Sequence, residues 1–313
     1  MVRIHKTIDS SLKVLSAPEK DCWIMMTRPD EAELLDVARR YEIDLNDLRA
    51  ALDEEERSRI EVEDNYTLLL VDIPIIEKRD NRDRYVTQPL GILIAKDAII
   101  TVCLEETPVL SIVEGKKSRE FHTHMKTRFL LQILYRNASL YLQYLRVINR
   151  QSEMVERQLH DSTRNRELIE LLELEKSLVY FTTSLRSNEV VLEKMLKTES
   201  IKKYPEDTDL LEDVIVENRQ AIEMANIYSG ILSGMMDAFA SVISNNLNIV
   251  MKFLAVVTIV LSIPTMIFSA YGMNVNTGQM PFANAAFAFP LIIAISVLLS
   301  VAVAIYFGKK KMF

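Results

Sequence analysis

The sequence predicts an α+β cytosolic domain, a mixed sheet with helices, followed by long stalk helices and a two-helix C-terminal transmembrane hairpin. Three observations carry that reading. Residues 253–308 contain no Asp, Glu, Lys, Arg or His, whereas the chain before them is densely charged. Short β-branched and apolar runs occupy the N-terminal part and give way near His122 to a helical texture that persists. Within the uncharged window, Phe253 to Ala270 and Ala285 to Phe307 each reach the ~20 residues that carry a helix across ~30 Å of hydrocarbon.

Residues 1–120 read as the α/β domain. Cys22 to Thr27, Tyr66 to Ile73, Leu90 to Ile94 and Ala98 to Cys103 have strand composition. Ala95-Lys96-Asp97 reads as a hairpin turn, and the polar run Glu77 to Arg84 as a link between two other strands. Helices fit Asp30 to Arg40 and Leu45 to Leu52, the first opened by Pro29-Asp30-Glu31. Cys22 and Cys103, the only cysteines, lie far apart and read as reduced, buried, strand-borne thiols.

Residues 121–206 read as antiparallel cytosolic helices. Leu130, Leu134, Tyr141, Tyr144 and Ile148 mark one face of the first. Leu171, Leu174, Leu178, Phe181, Leu185, Leu192 and Met195 recur at threes and fours on the second, after a turn near Asp161 to Asn165. Beyond a break at Thr198 to Asp209, residues 207–271 read as a stalk helix that continues into the first span at about 250–271. Leu210, Val214, Ala221, Met224, Tyr228, Ile231, Met235, Ala238 and Val242 form its stripe. No proline falls between Asp207 and Ile263, so one helix on the order of 90 Å long is expected at 1.5 Å per residue. Gly230 and Gly234 are a small-xxx-small pair of the kind that lets helices pack closely. A loop over 272–284, a second span over 285–307 and a basic tail over 308–313 complete the reading.

Charge sets the topology. Met1 to Lys13 has no apolar core, so no secretory signal is expected and the large domain stays in the cytosol. Lys252 precedes the first span and Lys309, Lys310 and Lys311 follow the second, which places both termini on the cytosolic face of the plasma membrane. Removing those four lysines from the 37 basic residues leaves 33 against 44 acidic ones, a net charge of −11 for the remainder. An acidic body favours cations over nucleic acid.

Catalytic motifs do not emerge. His5, His122, His124 and His160 lack partners at ligand or triad spacing, and His122-Thr123-His124 reads as a solvated helix start whose rings would diverge. No GxxxxGK[ST] run is present to bind ATP, which argues against a pump. We therefore expect no enzyme and no organic cofactor.

The first span is not uniformly apolar. Thr258, Ser262, Thr265 and Ser269 recur at steps of four, three and four along one face, and Asn248, Met251 and Ala255 extend it toward the cytosol. Hydroxyls in a membrane helix can bond back to their own backbone or hold helices together, and a wet pore is equally compatible with a continuous stripe. A single hairpin cannot enclose a pore, so the second reading requires an oligomer.

At the outer end of that span stands Tyr271-Gly272-Met273-Asn274. With Asn248, Met251, Lys252, Pro264 and Thr265 at matching spacing, and the whole layout from α/β domain to basic tail, the chain resembles the CorA family of magnesium transporters. The resemblance implies a homopentameric channel in the lipid bilayer, with Mg²⁺ as its transported and regulatory ion. Tyr271, Gly272, Met273 and Asn274 would then form the selectivity filter, and Asn248, Met251, Leu254, Thr258, Ser262 and Thr265 would line the pore. Counting back along the stalk, Asp213 falls where the family carries an intersubunit metal-sensing carboxylate, with Asp72 or Glu77 as its partner.

Two departures qualify the likeness. Met280-Pro281-Phe282-Ala283 stands where many members carry an acidic residue, so the outer loop is neutral. Ser262 stands where a bulky apolar residue can form a constriction, which would widen that gate or shift it to Leu254. The expectation is influx of Mg²⁺, and of Co²⁺ or Ni²⁺, down the electrochemical gradient with closure by cytosolic Mg²⁺. The alternatives are a zinc-transporting relative on the same scaffold and a non-conducting, membrane-anchored helical scaffold.

Overall fold

The computed structural model describes residues 1–9, 11–79, 82–111, 121–161, 165–198, 204–274, 280–282 and 287–310. The chain divides into two compact units, Met1–Met235 and Met236–Phe313.

The first unit is built on a seven-stranded sheet. Its strands are β1 (Val2–Ile8), β2 (Ser11–Leu15), β3 (Cys22–Thr27), β4 (Arg59–Val62), β5 (Tyr66–Arg79), β6 (Arg82–Ala95) and β7 (Ala98–Cys103). They lie in the order β2-β1-β3-β7-β6-β5-β4. Only β3 and β7 run parallel; the other pairs are antiparallel. Both faces of the sheet are covered. Cys22, Ile24 and Met26 point to a core shared with Leu34 and Val37 of α1 (Glu31–Tyr41) and Leu48 of α2 (Leu45–Ala50). Trp23, Leu69 and Val71 point the other way, to a core with Phe129, Leu192 and Leu211 of three longer helices. Burial on both faces is why β7 is apolar at every position but Thr101 rather than alternating.

Those helices are α3 (Lys126–Asp161), α4 (Asn165–Lys197) and the start of α5 (Pro205–Tyr271). Asn137 and Asn188 meet at one backbone carbonyl while Tyr141 packs on Phe181 at 5.0 Å between ring centroids, so α3 and α4 run antiparallel. The start of α5 is tied to that of α3, where the Arg128 guanidinium lies 3.3 Å from buried Asp207. Gly91 of β6 marks a close approach: a Cβ there would sit 2.5 Å from Ala51 Cβ.

Several elements differ from expectation. β2 lies at the edge of the sheet with β1 next to it, and both are half exposed and charged, so their composition is not that of a core strand. The polar run Glu77 to Arg84 is the far end of one long hairpin, β5–β6, rather than a link between two other strands. His122 and His124 precede α3 and lie 5.4 Å apart instead of diverging on it. Gly230 and Gly234 face open space in the chain, so the close packing expected of them is not made within it.

In the second unit, α5 from Met236 onward and α6 (Ala288–Lys309) are both long and apolar enough to cross a membrane. Only Val256 and Ser296 are buried among its described residues.

Candidate functional site

Asn248, Met251, Leu254, Thr258, Ser262 and Thr265 fall on one stripe of α5, and all but half-buried Ser262 are exposed. Each hydroxyl of the stripe turns back to the helix. Thr258 Oγ1 donates to the Leu254 carbonyl at 2.8 Å, Ser262 Oγ to Thr258 at 2.5 Å and Thr265 Oγ1 to Leu261 at 3.0 Å. This is the backbone bonding usual for Ser and Thr in a helix, and it has a chemical consequence. A hydroxyl whose proton is committed inward presents only oxygen lone pairs outward. The same hydroxyls, with Ser269, Leu261 and Met266, line an open groove of about 710 Å³. Pro264 within the helix supplies no N–H, which leaves one more carbonyl of the preceding turn unclaimed.

The groove ends where the helix does. The Gly272 N–H is shared between the carbonyls of Phe268 at 2.9 Å and Ser269 at 3.2 Å, and the chain leaves the helix at Met273. A Cβ on Gly272 would lie 3.3 Å from the Phe268 carbonyl oxygen. Gly272, Met273 and Asn274 are exposed. The Tyr271 hydroxyl donates to the Pro281 carbonyl at 2.8 Å. Ala283, the last residue of the neutral outer sequence, lies outside the described residues.

In the first unit, Asp213 on α5 and Glu77 on β5 are both exposed. Asp72 is not available in the same way. It sits opposite Pro89 in the β5–β6 ladder, and the β4 ladder has already ended at Arg59 and Leu70. Pro89 has no N–H, so the backbone groups of Asp72 turn to the edge that β4 leaves open. There the Asn188 carboxamide substitutes for a strand: its Oδ1 accepts from the Asp72 N–H and its Nδ2 donates to the Asp72 carbonyl, both at 2.8 Å. Asn137 Nδ2 and the Tyr141 hydroxyl donate to the same carbonyl at 2.8 and 3.2 Å. Burial pushes the Asp72 carboxyl up to about 6, partly offset by the neighbouring Ser184 and Ser58 hydroxyls. Asn137 and Asn188 were not singled out by the sequence reading. Their signal was an Asn within an apolar stripe, between Leu134 and Tyr141 and between Leu185 and Leu192.

Comparison with known proteins places this geometry. A cobalt/magnesium transport protein CorA of Methanocaldococcus jannaschii is 28% identical over 281 residues, covering 88% of this chain and 86% of that protein. One of Thermotoga maritima is 30% identical over 148 residues, 44% of this chain and 42% of that one. The complete structure of the CorA magnesium transporter from M. jannaschii superposes with a TM-score of 0.82 at 24% identity, covering 100% of this chain and 99% of that one. The family model for the CorA-like Mg²⁺ transporter protein matches residues 19–311, and the chain is a member of that family.

Proposed function

We propose that the protein is a passive channel that carries Mg²⁺ into the cell, with Co²⁺ or Ni²⁺ as further cargo. It is a divalent cation transporter by family, and the observation that carries the finer reading is the row of hydroxyls whose protons are bonded inward, ending at Gly272-Met273-Asn274. Mg²⁺ holds its octahedral water shell tightly and presents water hydrogens outward. Uncharged amide, carbonyl and hydroxyl oxygens accept from that shell without having to strip it. The membrane potential supplies the drive, ~2.3 kcal/mol per charge per 100 mV and about twice that for a divalent ion.

One chain has a groove, not an enclosed path. The reading therefore takes several copies around an axis, a homopentamer in the lipid bilayer, with Lys252 and Lys309 to Lys311 holding both termini at the cytosolic face of the plasma membrane. No enzymatic role, organic cofactor or nucleic acid enters it. A zinc-transporting relative is less well supported, because no Cys or His falls between residues 236 and 313.

The same reading makes Mg²⁺ its own regulator through Asp213. Exposed Asp213 and Glu77 are free to meet across a subunit boundary, where like charges repel unless an ion bridges them. Glu77 suits that partnership better than Asp72, whose carboxyl is largely buried. Asp213→Asn should keep conducting at cytosolic Mg²⁺ levels that close the wild type; closure over the same range would remove Asp213 from the mechanism.

Mg²⁺ flux into liposomes holding the purified protein, with hexaamminecobalt(III) as a non-exchangeable mimic of the hydrated ion, tests the whole reading. We expect potential-driven Mg²⁺ uptake that hexaamminecobalt(III) blocks. Zinc flux without Mg²⁺ flux would favour the zinc relative, and no flux at all the non-conducting scaffold.

A further inference from the structure

His122, Thr123 and His124 lie where the chain enters α3, and the middle residue holds the other two in place. Thr123 is buried and clasped to β1: its Oγ1 accepts from the Thr7 N–H, and its own N–H donates to Thr7 Oγ1, both at 3.1 Å. The Thr7 hydroxyl in turn donates to the Phe121 carbonyl at 2.8 Å. The Met125 N–H donates to the His122 carbonyl at 3.0 Å and closes the turn. Half-buried His122 and exposed His124 flank the clasped residue, their ring centroids 5.4 Å apart and their planes tilted by 50°. Two imidazoles bound to one tetrahedral ion at ~2.0–2.1 Å have their centroids roughly 5 Å apart. The turn thus holds two metal-ligand side chains near the separation that a shared ion sets, so little ordering is left to be done on binding.

We propose that His122 and His124 together bind a divalent transition metal ion of the Co²⁺, Ni²⁺, Cu²⁺ and Zn²⁺ class, at a site in the first unit and outside the residues assigned to the pore. Imidazole nitrogen suits these ions, whereas Mg²⁺ takes oxygen ligands and keeps its waters. The pair therefore discriminates against Mg²⁺, the reverse of a site built from carboxylates or amides. Among the described residues no third His, Cys, Asp or Glu joins the two rings, so water fills the remaining positions and the ion stays exchangeable. Affinity rises from Co²⁺ through Ni²⁺ to Cu²⁺. The N-terminus of α3 close by weakens binding of every divalent cation alike and leaves that order unchanged.

The test uses the full chain in detergent, free of any polyhistidine tag, titrated with Ni²⁺ by equilibrium dialysis in a large excess of Mg²⁺. Mg²⁺ competes for carboxylate and carbonyl oxygens but not for imidazole. Wild type should bind one Ni²⁺ per chain. His122→Gln and His124→Gln should each weaken that binding roughly ten- to hundredfold, because the second ring acts at the high effective concentration set by the clasped turn. The double variant should lose little more than either single one, since one imidazole alone no longer chelates. Wild type that takes up no Ni²⁺ under these conditions overturns the proposal, as does a loss confined to one of the two variants or absent from both. The fluorescence of Trp23 checks that each variant is folded. Should one not fold, Cu²⁺ bound to the wild type decides by electron paramagnetic resonance: coupling to two imidazole nitrogens supports the site, and coupling to one or none overturns it. Both readouts are of binding, so they hold whether or not the protein conducts Mg²⁺.

Discussion

The two units handle their polar groups in opposite ways. In the first, a polar group inside the fold is answered from a distant part of the chain: the Asp72 carbonyl takes donors from Asn137, Tyr141 and Asn188, and the Trp23 indole N–H donates to Thr101 at 3.0 Å. In the second, Thr258, Ser262 and Thr265 are answered by their own helix, and the large apolar side chains remain exposed. The first unit completes its core within one chain. The second buries almost none of its apolar surface within one chain. Polar atoms that fold the chain and polar atoms proposed to serve the ion are therefore separable by mutation.

The sharpest break on the cytosolic side is Asn188→Leu. It leaves the Asp72 N–H and the Ser58 hydroxyl, both now bonded to Asn188 Oδ1, without that partner. The expected cost is about 2–4 kcal/mol, seen as a lower urea midpoint. Trp23, the single tryptophan, is buried in this unit and reports it selectively by fluorescence.

Next in size is a pH effect at Asp72. Its folded value of about 6 lies above the ordinary 3.8, so the folded state binds the proton more tightly. This contribution to stability is complete below about pH 4 and is lost as pH rises through about 6, a change on the order of 2–3 kcal/mol. Asp72→Asn should remove that slope, so that the difference in midpoint between wild type and variant changes between pH 4.5 and 7.5. Parallel curves would mean the carboxyl is already charged in the fold near pH 4.

Gly91→Ala overpacks the same unit, because the Ala51 Cβ has no rotamer to escape by and the buried end of α2 must shift its backbone to relieve a 2.5 Å approach. Overpacking of this kind costs about 1–3 kcal/mol. The same Trp23 titration reads it, and an unchanged midpoint would show that α2 yields freely.

What was legible in the sequence follows from what each element is made of. β3 and β7 were read to the residue because both faces are largely buried and, Thr27 and Thr101 apart, their side chains are apolar. β1 and β2 were not, since at the margin of the sheet they are only half buried and carry Arg3, Lys6 and Lys13. The hairpin beyond Ile76 is held by its ladder rather than by burial, so composition stops reporting it before the strands stop. In the site, a period of three and four showed the stripe, but not that its protons are committed inward. The Tyr271 bond to Pro281 was not legible at all, because no spacing rule links a phenol to a carbonyl ten residues on.

The central claim is that uncharged oxygens at the end of α5 select the hydrated ion and do no work in folding. Asn274→Ala in liposomes tests it most directly, with Mg²⁺ uptake measured against a competing divalent ion and oligomer size measured on the same sample. The account predicts that preference for Mg²⁺ disappears while assembly and the Trp23 midpoint stay as in wild type. Normal uptake with unchanged ion preference in an assembled Asn274→Ala channel would contradict it.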